Sequence, residues 1–252
     1  ERRLLALPGA VNLRDIGGYP AADGRRVRWG RVYRSGSLAH LDEPALAHLA
    51  GLGLRTVYDL RTPQEAARNP DRLPAGAAYL NLPTYPDGNT GAWLQTLLFR
   101  RHELDTVFEE GYLRMADSSA AAFGEVLRRL AEPADQPCLV HCTAGKDRTG
   151  ILIALLLLLL GVPEDLVLAD YALSNQAYAH ILGAAQEDVR RITAIGITAE
   201  ELRPIMTAHP RNLRRMLAHV RERHGTLERY LREAAGVGPE TADRLRANLL
   251  SG

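Results

Sequence analysis

The sequence predicts a single α/β domain built on a central, mostly parallel, twisted sheet of about four or five strands flanked by helices. Three observations predict it. Short apolar runs bounded by turn residues recur through the first part of the chain, and helical patterns with capping signals alternate with them. A short apolar strand, a glycine-containing loop and an all-apolar helix follow one another from Pro137 to Val162, which is an α/β unit. From Pro163 onward the patterns are helical.

The elements follow in order. The N-terminal part is strand-rich: Val27 to Arg34 alternates apolar and polar side chains behind the turn-forming Asp23-Gly24. Asp42-Glu43-Pro44 opens a helix with Asp42 as its cap, and Gly51 or Gly53 closes it. Leu54 to Leu60 is a short buried strand. Thr62-Pro63-Gln64-Glu65 is a capping box with Pro at the first helical position, so a helix starts there. Ala77 to Leu82 makes the next strand, and residues 83–91 a loop. Residues 92–131 are mostly helical with a break around Ala116 to Ser119. Pro137 to Cys142 is a strand. The apolar run Ile151 to Val162 is shorter than the ~20 residues that cross a bilayer, so it makes a buried core helix. Thr198-Ala199-Glu200-Glu201 is a second capping box, and Gly225, Gly236 and Gly238 punctuate short helices to the end. No linker or repeat divides the chain, so residues 1–252 are expected to form one domain.

Composition excludes several classes. With 46% hydrophobic and 24% charged residues the 252-residue chain is globular rather than disordered. A net charge of +1 argues against a nucleic-acid partner, which would need a basic excess. The two cysteines, Cys138 and Cys142, exclude a disulfide scaffold. On a strand their Cα atoms lie about 13 Å apart, beyond disulfide reach. Every basic residue but one is Arg, and the exception is Lys146. A cytoplasmic location is expected, with export by a route outside this sequence left open.

The chemistry concentrates in His141-Cys142-Thr143-Ala144-Gly145-Lys146-Asp147-Arg148-Thr149-Gly150, between that strand and the apolar helix. A loop running into a helix N-terminus aims several backbone N–H groups at one spot, and the helix dipole favours an anion there. Arg148 adds a planar fork suited to two phosphate oxygens. Cys142 begins the loop, so the field that binds phosphate also favours its thiolate, a nucleophile for in-line attack through a cysteinyl-phosphate. Other chemistries fit poorly. A nucleotide-binding loop needs Gly where Val140 stands and Ser or Thr where Asp147 stands. A redox pair needs C-x-x-C, and zinc would need more cysteines or clustered histidines. His102, His180, His209, His219 and His224 have no ligand spacing, so no metal or cofactor is expected.

The motif His-Cys-(x)5-Arg-Thr is the signature of the cysteine-dependent protein tyrosine phosphatase superfamily. In the form HCTAGKDRTG it resembles the bacterial tyrosine/serine phosphatase family. Asn12-Leu13-Arg14-Asp15-Ile16-Gly17-Gly18-Tyr19, Tyr33-Arg34-Ser35-Gly36-Ser37-Leu38, Asp59-Leu60-Arg61-Thr62, Ala169-Asp170-Tyr171 and the stretch Gly225 to Leu250 are similar to that family as well, so the resemblance covers nearly the whole chain. It implies a tyrosine-phosphatase-like fold in which helical insertions at 92–131 and 172–232 cover the site as a lid.

The resemblance also implies roles. Cys142 is the nucleophile and Arg148 holds the phosphoryl oxygens. The backbone of Thr143, Ala144, Gly145 and Lys146 through Arg148 cradles the phosphate, with Gly150 completing the signature. The Thr149 hydroxyl donates to the sulfur, and His141 orders the loop. The general acid is Asp87 in Tyr85-Pro86-Asp87-Gly88, which resembles the Trp-Pro-Asp loop of larger tyrosine phosphatases but lies farther ahead of the cysteine. Asp147 is its rival, able also to orient the loop or the attacking water, and Asp117 is a distant third. Lys146 adds charge beside the phosphate, as in loops that handle inositol phospholipids, or is a solvated rim residue. Asn12, Arg14 and Asp15 buttress the site or are turn and sheet-edge residues. Arg211, Arg214, Arg215, Arg221 and Arg223 form a solvated helix face or a patch for peripheral contact with anionic membranes. The expected substrate is protein phosphotyrosine, with phosphoserine and phosphothreonine behind it. The alternatives are a phosphoinositide phosphatase and a catalytically silent phosphate-binding module.

Overall fold

The structure is a computed structural model that describes residues 3–84, 100, 103–179, 183, 190, 193 and 196–252. In chain order it contains β1 (Arg14–Asp15), β2 (Arg26–Val27), β3 (Val32–Ser35), α1 (Glu43–Gly51), β4 (Thr56–Asp59), α2 (Pro63–Arg68), β5 (Ala78–Asn81), α3 (Leu104–Ser118), α4 (Ala120–Leu130), β6 (Cys138–His141), α5 (Asp147–Leu159), α6 (Glu164–Ala172), α7 (Ala199–Met206), α8 (Pro210–His224), α9 (Leu227–Glu233), α10 (Pro239–Leu249) and β7 (Leu250–Ser251).

The main sheet has five strands in the order β1-β3-β6-β4-β5. All its pairings are parallel except β1 with β3. Strands β3, β4 and β6 are buried along their whole length, as parallel strands covered on both faces must be. Alternation divides their side chains between two cores. Tyr33, Val57 and Leu139 pack with Ala45 and Leu49 of α1, while Val32, Tyr58, Cys138 and Val140 join the larger core of α4 and α5. Helix α5 is apolar all round and almost wholly buried, as its sequence implies. Its Leu155 is fully buried, so Leu155→Ala is expected to cost ~2–5 kcal/mol in thermal or denaturant unfolding.

The capping signals act as the sequence predicts. Asp42 accepts the Ala45 N–H, and both Thr62-to-Glu65 and Thr198-to-Glu201 close as reciprocal capping boxes. The helical stretch before α5 breaks at Ser119, whose hydroxyl donates to the Thr84 carbonyl. Its part before residue 103, apart from residue 100, lies outside the described residues.

Two expectations need correction. Val27 to Arg34 is not one strand. The chain leaves β2 at Val27, turns at Gly30 with φ 71°, and enters β3 at Val32. Strand β2 belongs to a separate two-stranded sheet with β7. The end of the chain is therefore not helical throughout: Leu250 and Ser251 gain strand geometry only by pairing with Val27 and Arg26.

Register sets the site. Ser35 and Asp59 both pair with His141, so β3, β4 and β6 end together at their carboxyl edge. The loop leaves from the central strand of the three, where open parallel sheets place their binding crevices.

Candidate active site

Cys142 follows β6 directly and is 2% exposed, and Arg148 lies in the first turn of α5, so the intervening loop spans from strand end to helix start. Gly145 has φ 64°, and a Cβ there would stand 2.2 Å from the Ser35 carbonyl oxygen, so both conformation and space demand glycine. Gly145→Ala is expected to lower the unfolding free energy by ~1–3 kcal/mol or more and to remove phosphate binding, readable by thermal melts and calorimetry.

The Gly145 carbonyl accepts Asn12 Nδ2 at 2.8 Å and Arg34 Nη2 at 2.8 Å. Because a trans peptide directs its N–H opposite to its C=O, these two donors also fix the direction of the Lys146 N–H. Asn12 is the one non-glycine residue with positive φ among the described residues, a conformation its short amide tolerates. It also donates to Ser174 Oγ at 3.1 Å. Ser37 N–H donates to the Thr143 carbonyl at 3.0 Å, tying the loop to the chain beyond β3.

Arg148 is held by Glu65. Its Nη1 and Nη2 donate to Glu65 Oε2 at 2.7 Å and Oε1 at 2.8 Å, and Thr143 Oγ1 donates to Oε1 at 2.9 Å. The fork is thus engaged at its Nη1–Nη2 end. Burial would raise the Glu65 carboxyl, but Arg148, the Thr62 amide and Thr143 together hold it down at about 2. Glu65 had a visible role as a helix cap. Its second role was not visible, because its partner is far along the chain.

His141 is fully buried. Its Nε2 lies 3.2 Å from Asp71 Oδ2 and 3.8 Å from Asp59 Oδ1, and its Nδ1 lies 3.3 Å from the Cys142 carbonyl. Asp59, Asp71 and His141 are close enough together to suggest ligands, yet the Arg61 guanidinium already pairs with both carboxylates. Despite burial, His141 and Arg61 hold the Asp71 carboxyl below its ordinary value.

Asp147 accepts the Tyr112 hydroxyl, and Tyr112 in turn meets the Tyr171 hydroxyl. Lys146 is 2% exposed rather than at a solvated rim. Its ammonium donates to the Thr207 carbonyl at 3.2 Å, lies 3.4 Å from Asp147 Oδ1 and sits 4.9 Å from the Phe108 ring centroid.

Comparison with known proteins decides the lineage. The profile of the Tyrosine phosphatase family matches residues 5–251. The chain belongs to the tyrosine phosphatase family. The triple specificity protein phosphatase PtpB of Mycobacterium tuberculosis is 30% identical over 278 residues, covering 97% of this chain and 98% of that protein. A tyrosine-protein phosphatase homologue of Cupriavidus necator is 32% identical over 256 residues, covering 100% of this chain and 90% of the relative. Among solved structures, TpbA of P. aeruginosa is 22% identical with a TM-score of 0.37, over 72% of this chain and 89% of that one.

The remaining candidates of this tyrosine phosphatase divide clearly. Thr149 Oγ1 is buried without a hydrogen-bond partner, so no bond to the Cys142 sulfur is formed in this structure. Gly150 packs tightly: a Cβ there would stand 2.8 Å from the Tyr171 ring. Asp87 and its Tyr85–Gly88 stretch lie outside the described residues. Asp117 pairs with His219 at 3.1 Å and Arg223 at 2.8 Å on α8, not with the loop. Asn12 holds the Gly145 carbonyl of the loop and Arg14 pairs with Asp170 behind it, whereas Asp15 accepts the amides of Gly17 and Gly30. On α8, Arg211 pairs with Asp105, Arg215 with Glu109 and Arg221 with Glu164, so acidic neighbours largely offset that basic face. Among the described residues no helix is long and apolar enough to cross a membrane.

Proposed function

We propose that this tyrosine phosphatase hydrolyses phosphotyrosine in proteins, and phosphoserine and phosphothreonine beside it, through a cysteinyl-phosphate. The observation that carries this is the loop itself, which puts Cys142 at the end of the central strand and Arg148 at the start of α5. In the first step the Cys142 thiolate attacks phosphorus, the S–P bond forms and the ester P–O bond breaks. The leaving oxygen takes a proton from a carboxylic acid. In the second step water attacks the same phosphorus and gives a proton to that carboxylate. The S–P bond breaks, releasing inorganic phosphate and restoring the thiolate.

Asp87 is the proposed acid. Asp147 is engaged as an acceptor by Tyr112 and approached by Lys146, whereas a general acid must direct its own proton toward the leaving oxygen. The mycobacterial relative is named for triple specificity, which supports a range beyond phosphotyrosine. The buried engagement of Lys146 and the paired arginines of α8 favour protein substrates over phosphoinositides and over membrane contact.

The test is hydrolysis of a small aryl phosphate near pH 6 in chelator, with phosphotyrosine and phosphoserine peptides in parallel. Full activity in chelator is expected. Asp87→Asn is expected to lose about 10²-fold in kcat with a poor leaving group and little with an activated one. Asp147→Asn showing that leaving-group dependence instead would reassign the acid, and loss of activity in chelator would reject the thiol mechanism.

A further inference from the structure

Beneath the loop lies a buried charge set that the two reaction steps do not use. Arg14 and Arg34 are 0% exposed and Asp170 is 1% exposed. Asp170 takes Arg14 Nε at 3.2 Å on one oxygen and Arg34 Nη1 at 2.7 Å on the other, and accepts the Tyr19 hydroxyl at 3.0 Å. Two guanidiniums therefore share one carboxylate. Burial and the like charge of Arg14 pull Arg34 down to about 10, which leaves it charged at neutral pH. Burial acts to raise Asp170, but the two arginines hold it below its ordinary value. The set thus carries one positive charge more than it cancels, in a place where water cannot screen it.

That excess is aimed at the loop. Arg34 Nη2 donates to the Gly145 carbonyl at 2.8 Å and stands 3.4 Å from where a Cβ on Gly150 would sit. Arg34 Nε is buried with no hydrogen-bond partner. Negative charge on Cys142 favours the charged form of Arg34. Arg148 also acts on Cys142, but like Lys146 it has an acidic partner. Arg148 meets Glu65, and Lys146 meets Asp147. On the far side Asp59 and Asp71 both pair with Arg61, and Asp71 Oδ2 lies 3.2 Å from His141 Nε2.

We propose that Arg34, anchored by Asp170, is a positioning residue of this phosphatase: it holds the Gly145 carbonyl and adds buried positive charge beside the loop, which favours the thiolate form of the nucleophile. This rests on the reading of Cys142 as nucleophile. A purely structural network would respond alike to damage at either member, whereas an electrostatic one responds with opposite signs.

The experiment is the pH dependence of Cys142 alkylation by iodoacetamide, alongside aryl phosphate turnover. Cys138 is fully buried and burial pushes its thiol up, and Cys142→Ser provides the blank. Arg34→Met is expected to move the half-maximal pH up by about one unit, a tenfold loss of thiolate below it. Asp170→Asn leaves two unopposed guanidiniums and is expected to move it down. Arg34→Lys keeps the charge and so the midpoint, while kcat falls with the lost fork to Gly145. Arg34→Met and Asp170→Asn moving together, or neither moving, would overturn the proposal. If Arg34→Met does not fold, the other two variants decide: a midpoint raised in both rejects it. A parent protein that neither alkylates at Cys142 nor turns over substrate rejects the nucleophile reading itself, a result separate from any variant's.

Discussion

Cys142→Ser is expected to remove turnover of aryl phosphate by about 10⁴-fold or more while leaving phosphate affinity within about threefold. The replacement is nearly isosteric at a site only 2% exposed, so the loop keeps its shape. Its backbone N–H groups and Arg148 still recognise the phosphate. What is lost is the nucleophile. A field able to favour a thiolate cannot ionise a serine hydroxyl, whose proton is bound far more tightly. Steady-state assays give the loss, calorimetry with inorganic phosphate gives the affinity, and rapid quench with labelled substrate shows a phosphoenzyme only in the parent. Retention of more than about one per cent of parent activity would sink the assignment. Loss of phosphate binding along with turnover would mean that the sulfur shapes the loop as well as attacking through it.

Much of this site was legible because its signals are local. A strand ending in His-Cys, a glycine that must turn and an arginine at a helix start are adjacent in sequence, and their geometry follows from that adjacency. The caps at Asp42, Thr62 and Thr198 were legible for the same reason. What the sequence hides is long-range. Strand β7 exists only because Leu250 finds Val27. Glu65 announces a helix cap and conceals a grip on Arg148. Lys146 looks like a surface lysine in a loop, yet its ammonium is drawn inward by the Thr207 carbonyl and Asp147. The Arg14–Asp170–Arg34 set joins β1, β3 and α6, and no single stretch of the chain reveals that two cations share one acid.

Arg148→Lys is expected to cost about 10²–10³-fold in kcat/KM, most of it in kcat, although the charge is kept. A lysine offers a point charge, not two parallel N–H donors in a fixed plane, and the developing charge on the transferring phosphoryl group needs the plane. The plane is itself set by Glu65, whose two oxygens take Nη1 and Nη2. Glu65→Gln separates this grip from the cap of α2, because glutamine still closes a capping box on Thr62. Its expected effect is about tenfold in kcat with a thermal midpoint close to the parent's. If Glu65 acts only through Arg148, the double variant loses no more than Arg148→Lys alone, since a lysine has no fork left to orient. Costs that multiply instead would show that Glu65 meets the substrate or the attacking water directly, and its carboxylate would then join Asp87 and Asp147 as a candidate for proton transfer.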